Sequence, residues 1–356
     1  MKKLTIQKTD RPKGKPQDQS KLGFGTIFTD HMLCVDYTEG KGWHDAQILP
    51  YGPIPMEPSA SVLHYAQSAF EGLKAYKSPK GETLLFRPRD NFARFNHSCE
   101  GLCIPAIDVD FAMESLIELV HLDEDWIPTA PGTSLYIRPF VFATDAYVGV
   151  RVSHTYKYMV ILSPVGAYYA KGLEPVGIYV ENQYVRAVRG GLGSAKAAAN
   201  YAASLRAGEV AKSKGYAQVL WLDGVERKYV EEVGSMNIFF KIKGELVTPS
   251  LESGSILKGI TRDSIMRLAE HMGLKARERR IPIAEIFEAS QTGDLEEVFG
   301  TGTAAVVSSV SELYWDGRSI TVNGGVMGDF TKKAYDTLTG IQYGQLEDPF
   351  GWVMKI

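Results

Sequence analysis

Cysteine is scarce in this chain, and its few thiols suggest neither disulfides nor a metal centre. The 356 residues include only Cys34, Cys99 and Cys103. An odd and small number of cysteines argues against a disulfide framework and is typical of a reducing compartment. His97 lies close to Cys99 and Cys103 in the sequence, but soft-metal sites usually need more ligands at tighter spacing. We therefore expect buried thiols and no metal.

Long apolar runs and a strong charge imbalance are also missing. No apolar run approaches the ~20 residues of a membrane span. Met1-Lys2-Lys3 is followed by a polar stretch through Lys21, without the apolar core of a secretory signal. Lysine and arginine total 39 against 42 aspartates and glutamates, so the formal net charge is −3. The sequence therefore predicts a cytoplasmic protein that has neither nucleic acid nor a membrane as a partner.

The length of the chain predicts two domains, at roughly 100–200 residues per domain. No period of 20–50 residues repeats, which argues against a solenoid or a propeller. The segment Gly166–Pro175 has two glycines and a proline between β-rich segments, as linkers do. We predict a flexible polar arm over residues 1–20, a smaller α/β domain over 21–168, a linker over 169–176 and a larger cofactor-binding domain over 177–356.

Local patterns predict an α/β (α+β) fold. Segments rich in β-branched and aromatic residues are the predicted strands Thr83–Arg87, Ser134–Ala143, Tyr156–Ser163, Ala217–Asp223 and Met236–Ile242. Segments with helical spacing of apolar residues or many alanines are the predicted helices Arg89–Gly101, Phe111–Leu122, Ala197–Lys214 and Arg262–Met272. Thr261 is the expected cap of the last helix, and residues 300–303 are an expected Gly-Thr loop before the apolar run Ala304–Val310.

A lysine follows the glycine-rich segment Gly190–Gly193 and precedes an apolar helix start. Lysine is strongly hydrated and costly to desolvate, so Lys196 among small residues suggests a chemical role. Desolvation favours the neutral amine, which is the nucleophile that forms a Schiff base. A surface lysine beside a flexible loop is the simpler explanation of this segment alone. The spacing of a phosphate-binding GxxxxGK[ST] loop is absent.

Five other segments each have a functional and a structural explanation. Glu232, just before a strand, can keep a pyridinium nitrogen protonated, or it can belong to a solvated acidic pair. Residues 258–262 open a helix whose free N–H groups favour an anion, although caps and turns use the same residue types, as does the Gly-Thr segment. Arg94 can bind the same anion or lie on the surface. Tyr136 and Arg138 face one side of a strand and can bind a substrate carboxylate, or Arg138 can be a surface arginine on a half-buried strand.

Together these segments form an ordered set of eight motifs: FEGLKAY from Phe70, NFAR from Asn91, LYIRP from Leu135, GGLGSAKAAANYAASL from Gly190, QVLWLDG from Gln218, EVGSMNIF from Glu232, LKGITRDS from Leu257 and EVFGTGTAAVV from Glu297. The chain closely resembles the branched-chain amino-acid aminotransferases, which are fold-type IV pyridoxal-phosphate enzymes. The resemblance extends from about Phe24 to Gly344. It implies a two-domain fold-type IV architecture, pyridoxal 5′-phosphate as the cofactor, and a homodimer with its active site near the subunit and domain interfaces.

The resemblance also implies roles for individual residues. Lys196 matches the Schiff-base lysine, Tyr201 the tyrosine that bonds the cofactor's phenolic oxygen, and Glu232 the carboxylate at the pyridine nitrogen. The matched phosphate ligands are Arg94, Ile260 through its N–H, Thr261 and Thr303. Ser235 stands where animal relatives have threonine and keeps the hydroxyl. The matched substrate-pocket positions are Phe24, Tyr65, Phe70, Tyr136, Arg138, Val150, Thr303 and Ala304.

The implied reaction is transamination between L-leucine, L-isoleucine or L-valine and 2-oxoglutarate. A ping-pong mechanism follows, with Lys196 as the Schiff base and proton shuttle. Animal relatives carry a redox Cys-x-x-Cys where this chain has Ala305 and Ser308, so we expect no such redox switch.

Two alternatives remain. D-amino-acid transaminases and aminodeoxychorismate lyases share the lysine and the glutamate, although the Tyr136/Arg138 strand, FEGLKAY and the longer chain favour the branched-chain L-enzyme. A cofactor-binding protein that has lost turnover is the other alternative, but every core position of the motif set is intact.

Overall fold

The computed structural model describes residues 4–166 and 173–356. The chain divides into two compact units, one of Met1–Ala170, Ala195–Ala199 and Gly340–Ile356, and the other of Lys171–Ser194 and Asn200–Thr339. The boundaries predicted from the sequence differ, because they assign residues 195–199 and 340–356 to the second domain. Those segments join the first unit through strand pairing distant in the sequence, which local patterns do not reveal. Residues 169–172 of the predicted linker lie outside the described residues.

The described chain contains both strands and helices throughout its length. Before the undescribed segment the elements are β1 (Thr5–Ile6), β2 (His31–Thr38), β3 (Gly42–Pro50), α1 (Ser61–Tyr65), β4 (Ser68–Phe70), β5 (Leu73–Lys77), β6 (Thr83–Phe86), α2 (Pro88–Gly101), α3 (Val109–Leu122), β7 (Ser134–Ala143) and β8 (Thr155–Val165). After it they are β9 (Val176–Val180), α4 (Ala198–Ser213), β10 (Gln218–Leu222), β11 (Val230–Val233), β12 (Asn237–Ile242), β13 (Glu245–Pro249), α5 (Ile260–His271), β14 (Ala276–Arg279), α6 (Ile283–Thr292), β15 (Leu295–Gly302), β16 (Val306–Trp315), β17 (Arg318–Thr321), α7 (Asp329–Gln342) and β18 (Val353–Lys355). The predicted α/β class is confirmed, and the predicted strand Ser134–Ala143 has the observed bounds of β7.

The first unit is a largely antiparallel sheet with helices α2 and α3 packed together. Its strand order is β1-β3-β2-β8-β7-β5-β6-β18, with β4 paired to β7. The carboxyl-terminal strand β18 pairs with β6, Val353 opposite Phe86. Helix α2 buries Phe92 and Phe95 in the core of this unit, and α3 buries Leu116 there. The apolar stripes of the two helices therefore cover the sheet, as their helical spacing predicts.

The second unit is a mixed sheet with its own core. Its strand order is β11-β10-β9-β16-β15-β12-β13-β14, with β17 paired to β16. Strand β9 is parallel to both β10 and β16, whereas β12 runs antiparallel to β13 and β15. Ile238 and Phe240 of β12 pack with Ile286 and Phe287 of α6 in this core. Strands β9 and β10 are nearly continuous apolar runs, whereas the central strands β15 and β16 also carry glutamate, serine or threonine.

Two local predictions in the second unit are wrong. Helix α5 begins at Ile260 with Gly259 as its N-cap, so Thr261 lies inside the first turn and does not cap it. Glycine occupies the cap because any Cβ there would collide with the side chain of Asn237. The expected Gly-Thr loop at residues 300–302 is instead the end of β15, paired with β12 and β16. Glycine fits this strand because a Cβ at Gly300 would crowd Met236.

The polar amino-terminal segment lies along the first unit instead of standing clear of it. Strand β1 pairs in parallel with β3. The Thr9 N–H donates to Nε2 of His31 at 3.0 Å, and the Lys13 N–H donates to Asp30 at 2.8 Å. Unpaired backbone groups at a sheet edge accept such a segment whatever its composition, which is why its polar sequence did not reveal the pairing. The flexibility expected for residues 1–20 stays a prediction.

Two findings concern ligand classes and membranes. Among the described residues, no group of three or more histidine, cysteine or acidic side chains is arranged to hold a metal ion. No described helix has the length and apolar character needed to cross a membrane.

The three thiols should differ sharply in reactivity. Cys34 and Cys99 are buried, whereas Cys103 is exposed, contrary to the expectation that all are buried. Burial raises the pKa of the Cys34 thiol to about 11 and that of Cys99 to about 12, so almost none of either is thiolate at pH 8. We expect an alkylating reagent to modify one thiol per native chain, and Cys103→Ser to abolish that labelling, as read by mass spectrometry. Rapid labelling of Cys99 in the folded protein would contradict this.

Candidate functional site

The backbone of Lys196 is fastened within the first unit. The Phe70 N–H donates to the Lys196 carbonyl at 3.1 Å, and Ala69 and Ala197 form an antiparallel bridge. The Lys196 N–H donates to the Ser98 hydroxyl at 2.9 Å. The segment before α4 therefore pairs with β4 through one β-bridge, and this pairing fixes the position of the Lys196 Cα.

The Lys196 side chain lies beside aromatic residues that the motif set contains. Its Nζ is 4.7 Å from the ring centroid of Phe70, a distance at which a cation is attracted to the ring face. The Arg138 guanidinium is 4.7 Å from the same ring, and its Nη2 donates to the Tyr136 hydroxyl at 3.1 Å. Phe24 packs edge-on against Tyr136 at 4.9 Å. The first unit thus gathers five of the predicted site residues into one group.

This aromatic group combines apolar walls with a cation. Tyr136 and Arg138 lie on the same face of β7, as their spacing predicts, and Tyr136 is buried. Gly72 leaves room for the Tyr136 ring, because a Cβ at residue 72 would overlap its hydroxyl. Nε of Arg138 is buried, and no described residue accepts a hydrogen bond from it. An apolar box with an arginine at one end suits a molecule that carries a carboxylate and an apolar side chain.

Arg94 forms a two-point ion pair with Glu71, a residue that the sequence analysis did not single out. Nε and Nη2 of Arg94 donate to the two carboxylate oxygens of Glu71 at 2.6 and 2.9 Å. Glu71 is completely buried, and the Arg94 side chain is 9% exposed. Glu71 lies in the FEGLKAY motif. The sequence feature that could have identified it is a glutamate between Phe70 and a glycine in a segment of predicted strands. Arg94 is therefore no ordinary surface arginine.

Tyr65 and Val150 belong to an exposed apolar surface of the first unit. We define this surface as Leu63, Tyr65, Tyr147, Val148, Val150 and Val152. Val150 is 83% exposed and Tyr65 is 42% exposed in the single chain. The Tyr65 hydroxyl donates to the Val148 carbonyl, which ties α1 to the segment after β7. Neighbouring exposed apolar side chains of this kind usually mark a surface that another molecule covers.

Glu232 is buried in the second unit and has several partners. One carboxylate oxygen accepts from the Asn237 amide at 3.0 Å and from the Leu257 N–H at 3.1 Å. The other lies 2.6 Å from Nε of Arg186, and both residues of this ion pair are buried. Burying an ionised carboxylate requires such pairing. The buried arginine, together with two hydrogen bonds, therefore favours the ionised form of Glu232.

Glu231 is buried as well, so the alternative of a solvated acidic pair is wrong. Successive residues of β11 face opposite sides. Glu231 accepts from the Ser255 hydroxyl and lines a cavity of about 350 Å³ with Arg189, Tyr229 and other residues. Burial raises the pKa of Glu231 above its usual value, although the Ser255 hydroxyl and the charge of Arg186 oppose this shift. The two glutamates therefore have different surroundings and different partners.

Arg186, which the sequence analysis also missed, connects two segments of the second unit. Its Nη2 donates to the carbonyls of Gly193 and Ser255 at 2.9 and 2.5 Å. Gly193 permits this approach, because a Cβ there would collide with the Ser255 backbone. One of the glycines before Lys196 is thus explained by close packing and not by flexibility.

Asn237 gathers the remaining elements at one end of the second sheet. Its amide donates both to Glu232 and to the Leu257 carbonyl, the latter at 2.9 Å. Its side chain packs against Gly259, the cap of α5, and it pairs with Thr301 of β15. The start of β12, the end of β15 and the first turn of α5 therefore lie together.

The remaining predicted residues lie on these elements or on α4. Ser235 is in the turn before β12, Ile260 and Thr261 are in the first turn of α5, Thr303 and Ala304 follow β15, and Tyr201 is in α4. Ile260 and Thr261 are buried, whereas Ser235 is exposed. Free N–H groups in the first turn of a helix favour an anion. This end of the second unit accordingly combines a buried carboxylate with a helix amino terminus.

Known proteins resemble this chain over nearly its full length. The family model described as amino-transferase class IV matches residues 68–313. The branched-chain-amino-acid aminotransferase 2 of Bacillus subtilis (strain 168) is 56% identical and covers 99% of this chain and 97% of the relative. The branched-chain-amino-acid transaminase 1 of the same organism is 54% identical and covers 100% and 99%.

Solved structures of similar proteins share the fold. The branched-chain amino acid aminotransferase from Escherichia coli is 29% identical, has a TM-score of 0.72 and covers 90% of this chain and 98% of that one. The T.th. branched-chain amino acid aminotransferase, solved with pyridoxamine 5′-phosphate, is 26% identical, has a TM-score of 0.74 and covers 90% and 97%.

The Arg186–Glu232 pair should be important for stability. Arg186→Met would remove the arginine counter-charge from the buried Glu232 carboxylate, so we expect the free energy of unfolding to fall by roughly 3–5 kcal/mol. Adding Glu232→Gln to that variant removes the unpaired charge and should restore much of the loss. Chemical denaturation of the wild type, both single variants and the double variant measures this. Equal stability of Arg186→Met and the wild type would contradict it.

Proposed function

Because this chain belongs to the class IV aminotransferases, whose model matches residues 68–313, we propose that it is a branched-chain-amino-acid transaminase. The observation that carries this is the 56% identity with a branched-chain-amino-acid aminotransferase over 99% of the chain. The fold-type IV architecture and the family resemblance expected from the sequence are confirmed. The enzyme moves the amino group between L-leucine, L-isoleucine or L-valine and 2-oxoglutarate, with pyridoxal 5′-phosphate as its cofactor.

The described residues suit this cofactor. Pyridoxal phosphate supplies an electron sink for the substrate's Cα when its pyridine nitrogen is protonated. A carboxylate kept ionised by Arg186 suits that nitrogen, and this supports Glu232 as its partner. The first turn of α5 suits a phosphate, which supports Ile260 and Thr261 as ligands. We assign the other phosphate contacts to Arg94 and Thr303, and a further contact with the cofactor to the Ser235 hydroxyl. Tyr201 is our proposed hydrogen-bond partner of the cofactor's phenolic oxygen.

Lys196 acts first by holding the cofactor covalently and then by moving a proton. Its Nζ would form the covalent link to the cofactor and, once freed by the substrate's amino group, would be the base that takes the proton from the substrate's Cα. Hydrogen bonds of the Lys196 backbone with the Phe70 N–H and the Ser98 hydroxyl fix the position of the Lys196 Cα. The Nζ can therefore move only by rotation about the side-chain dihedrals. Release of the 2-oxo acid and the reverse steps with a second oxo acid complete a ping-pong cycle.

The aromatic group of the first unit is our proposed substrate pocket. Phe24, Phe70 and Tyr136 give apolar walls for a branched side chain, and Arg138 gives a cation for a carboxylate. The remaining pocket positions are Tyr65, Val150, Thr303 and Ala304. Discrimination by apolar size is coarse, at about 1–3 kcal/mol per methylene. We therefore propose that the pocket accepts all three of leucine, isoleucine and valine, because apolar walls alone exclude none of them.

The spectrum of the bound cofactor tests the function. We expect the purified protein to show a visible band that L-leucine bleaches, because the amino group passes to the cofactor. Lys196→Ala should no longer hold the cofactor covalently. It should also turn over leucine at least about 10²-fold more slowly, since proton transfer by a positioned base contributes that much or more. Absorbance before and after leucine, with borohydride trapping and mass spectrometry, measures both effects.

Two outcomes would count against the proposal. A wild-type protein without a visible band, even after added pyridoxal phosphate, would sink the cofactor assignment. Bleaching by D-alanine but not by L-leucine would instead favour the D-amino-acid alternative. Lys212→Ala is the control, because it removes an exposed lysine of α4 that pairs with Glu209 outside the proposed site, and it should leave the covalent attachment intact.

We further propose a cytoplasmic homodimer in which the exposed apolar surface is covered by the second copy. Its six apolar side chains, defined above, support this because monomeric proteins rarely expose such clusters. Tyr65 and Val150 would then be buried on assembly, which agrees with their expected places in a substrate pocket.

Introducing a charge into that surface should weaken the dimer. Val150→Asp would place a carboxylate in an apolar interface, so we expect partial or complete dissociation at micromolar concentrations. Val225→Asp, at another exposed valine, is the control and should leave assembly unchanged. Light scattering after size exclusion measures the mass. A wild-type monomer, or a Val150→Asp dimer as tight as the wild type, would argue against this interface.

A further inference from the structure

Glu71 is a completely buried carboxylate between β4 and β5. Besides the two bonds from Arg94, one of its oxygens accepts from the Asn91 amide at 3.0 Å and from the Gly72 N–H at 2.9 Å. Burial opposes ionisation of Glu71, but the Arg94 contact, the charge of Lys196 and the Asn91 bond together hold the pKa of Glu71 below its usual value. The group is therefore a fixed anion.

The arginine that Glu71 contacts is held in one orientation. Nε and Nη2 form one edge of the guanidinium, and both point to the carboxylate in a two-point arrangement that fixes the plane of the group. The Asn91 amide, one helical turn before Arg94 on α2, holds the carboxylate from the side. Every part of this arrangement lies in the first unit, on β4, β5 and α2.

The same network reaches the backbone of Lys196. The Ser98 hydroxyl donates to the Arg94 carbonyl at 3.0 Å and accepts from the Lys196 N–H. Phe70, the residue before Glu71, bonds the Lys196 carbonyl. Two hydrogen-bonded connections, one through Ser98 and one through Phe70, therefore join the Glu71–Arg94 pair to the Lys196 backbone.

We propose that Glu71 is a positioning residue that orients the Arg94 guanidinium for the phosphate of the cofactor. Stability alone is a poor reason to bury such a pair, since apolar residues of similar volume often stabilise a core as well or better. Orientation is a sufficient reason, because a long arginine side chain otherwise loses rotamer freedom when it binds an anion. The inference rests on the proposed function, in which Arg94 is a phosphate ligand.

Comparing two ligands that differ only in the phosphate tests the inference. Pyridoxal 5′-phosphate and pyridoxal are titrated into the cofactor-free wild type, Glu71→Gln, Arg94→Gln and the double variant, and dissociation constants are read from absorbance. We expect Glu71→Gln to weaken pyridoxal phosphate roughly tenfold or more and pyridoxal by less than about twofold. In the Arg94→Gln background, Glu71→Gln should have no further effect on pyridoxal phosphate.

Glu297→Gln is the control for a merely structural effect. Glu297 is a buried glutamate of the second unit that accepts from the N–H groups of Phe330 and Thr331 at 3.1 and 2.8 Å. Its substitution should lower the melting temperature without changing the ratio of the two dissociation constants. If Glu71→Gln does not fold, Glu71→Asp replaces it, because it keeps the charge and breaks the two-point geometry.

Two results would overturn the inference. Equal weakening of pyridoxal and pyridoxal phosphate by Glu71→Gln would assign Glu71 a structural role only. Additive effects of Glu71→Gln and Arg94→Gln on pyridoxal phosphate would show that Glu71 does not act through Arg94. In both cases a wild type that still binds the cofactor through Lys196 leaves the proposed function standing, whereas a wild type that binds neither ligand rejects that function itself.

Discussion

The ion pair between Glu232 and Arg186 is the interaction on which the second unit's site depends. An ionised carboxylate cannot be buried alone, because the loss of hydration is not compensated without a counter-charge and hydrogen bonds. Arg186 supplies the charge and also bonds the carbonyls of Gly193 and Ser255. The glycine-rich segment and the segment leading to α5 are therefore held around the same carboxylate, and Asn237 adds β12 to the arrangement.

The first unit meets the same constraint with Glu71 and Arg94. Here too a buried glutamate is paired with an arginine that is largely buried, and neighbouring backbone and amide donors complete the hydrogen bonding. The consequence differs, because this pair lies beside the strand extension that carries Lys196. In a transaminase, the first pair suits the control of a ring nitrogen, and the second suits the orientation of a cation for a phosphate.

Local sequence patterns predicted elements well where packing and propensity agree. Strand β7 has the predicted bounds, and α2, α3 and α4 begin and end within two residues of their predictions. The same local patterns gave wrong predictions at two glycines. Gly259 and Gly300 resemble turn residues in the sequence, but each is glycine because a distant side chain, Asn237 or Met236, occupies the space of its Cβ. Steric demand from a distant residue has no local signature.

By itself, the sequence determined the family, the cofactor class and the candidate residues, because eight ordered motifs at fixed spacing are specific even where each motif alone is ambiguous. Lys196 and Glu232 were identified in this way. Only the tertiary structure decided which residues these side chains contact. Lys196 contacts Ser98 and Phe70, Glu232 contacts Arg186 and Asn237, and the candidate phosphate ligand Arg94 contacts Glu71. The physical reason is that buried charges and backbone groups require partners nearby in space, and chain folding brings together partners that are distant in the sequence, 23 residues apart for Glu71 and Arg94 and 126 residues apart for Phe70 and Lys196.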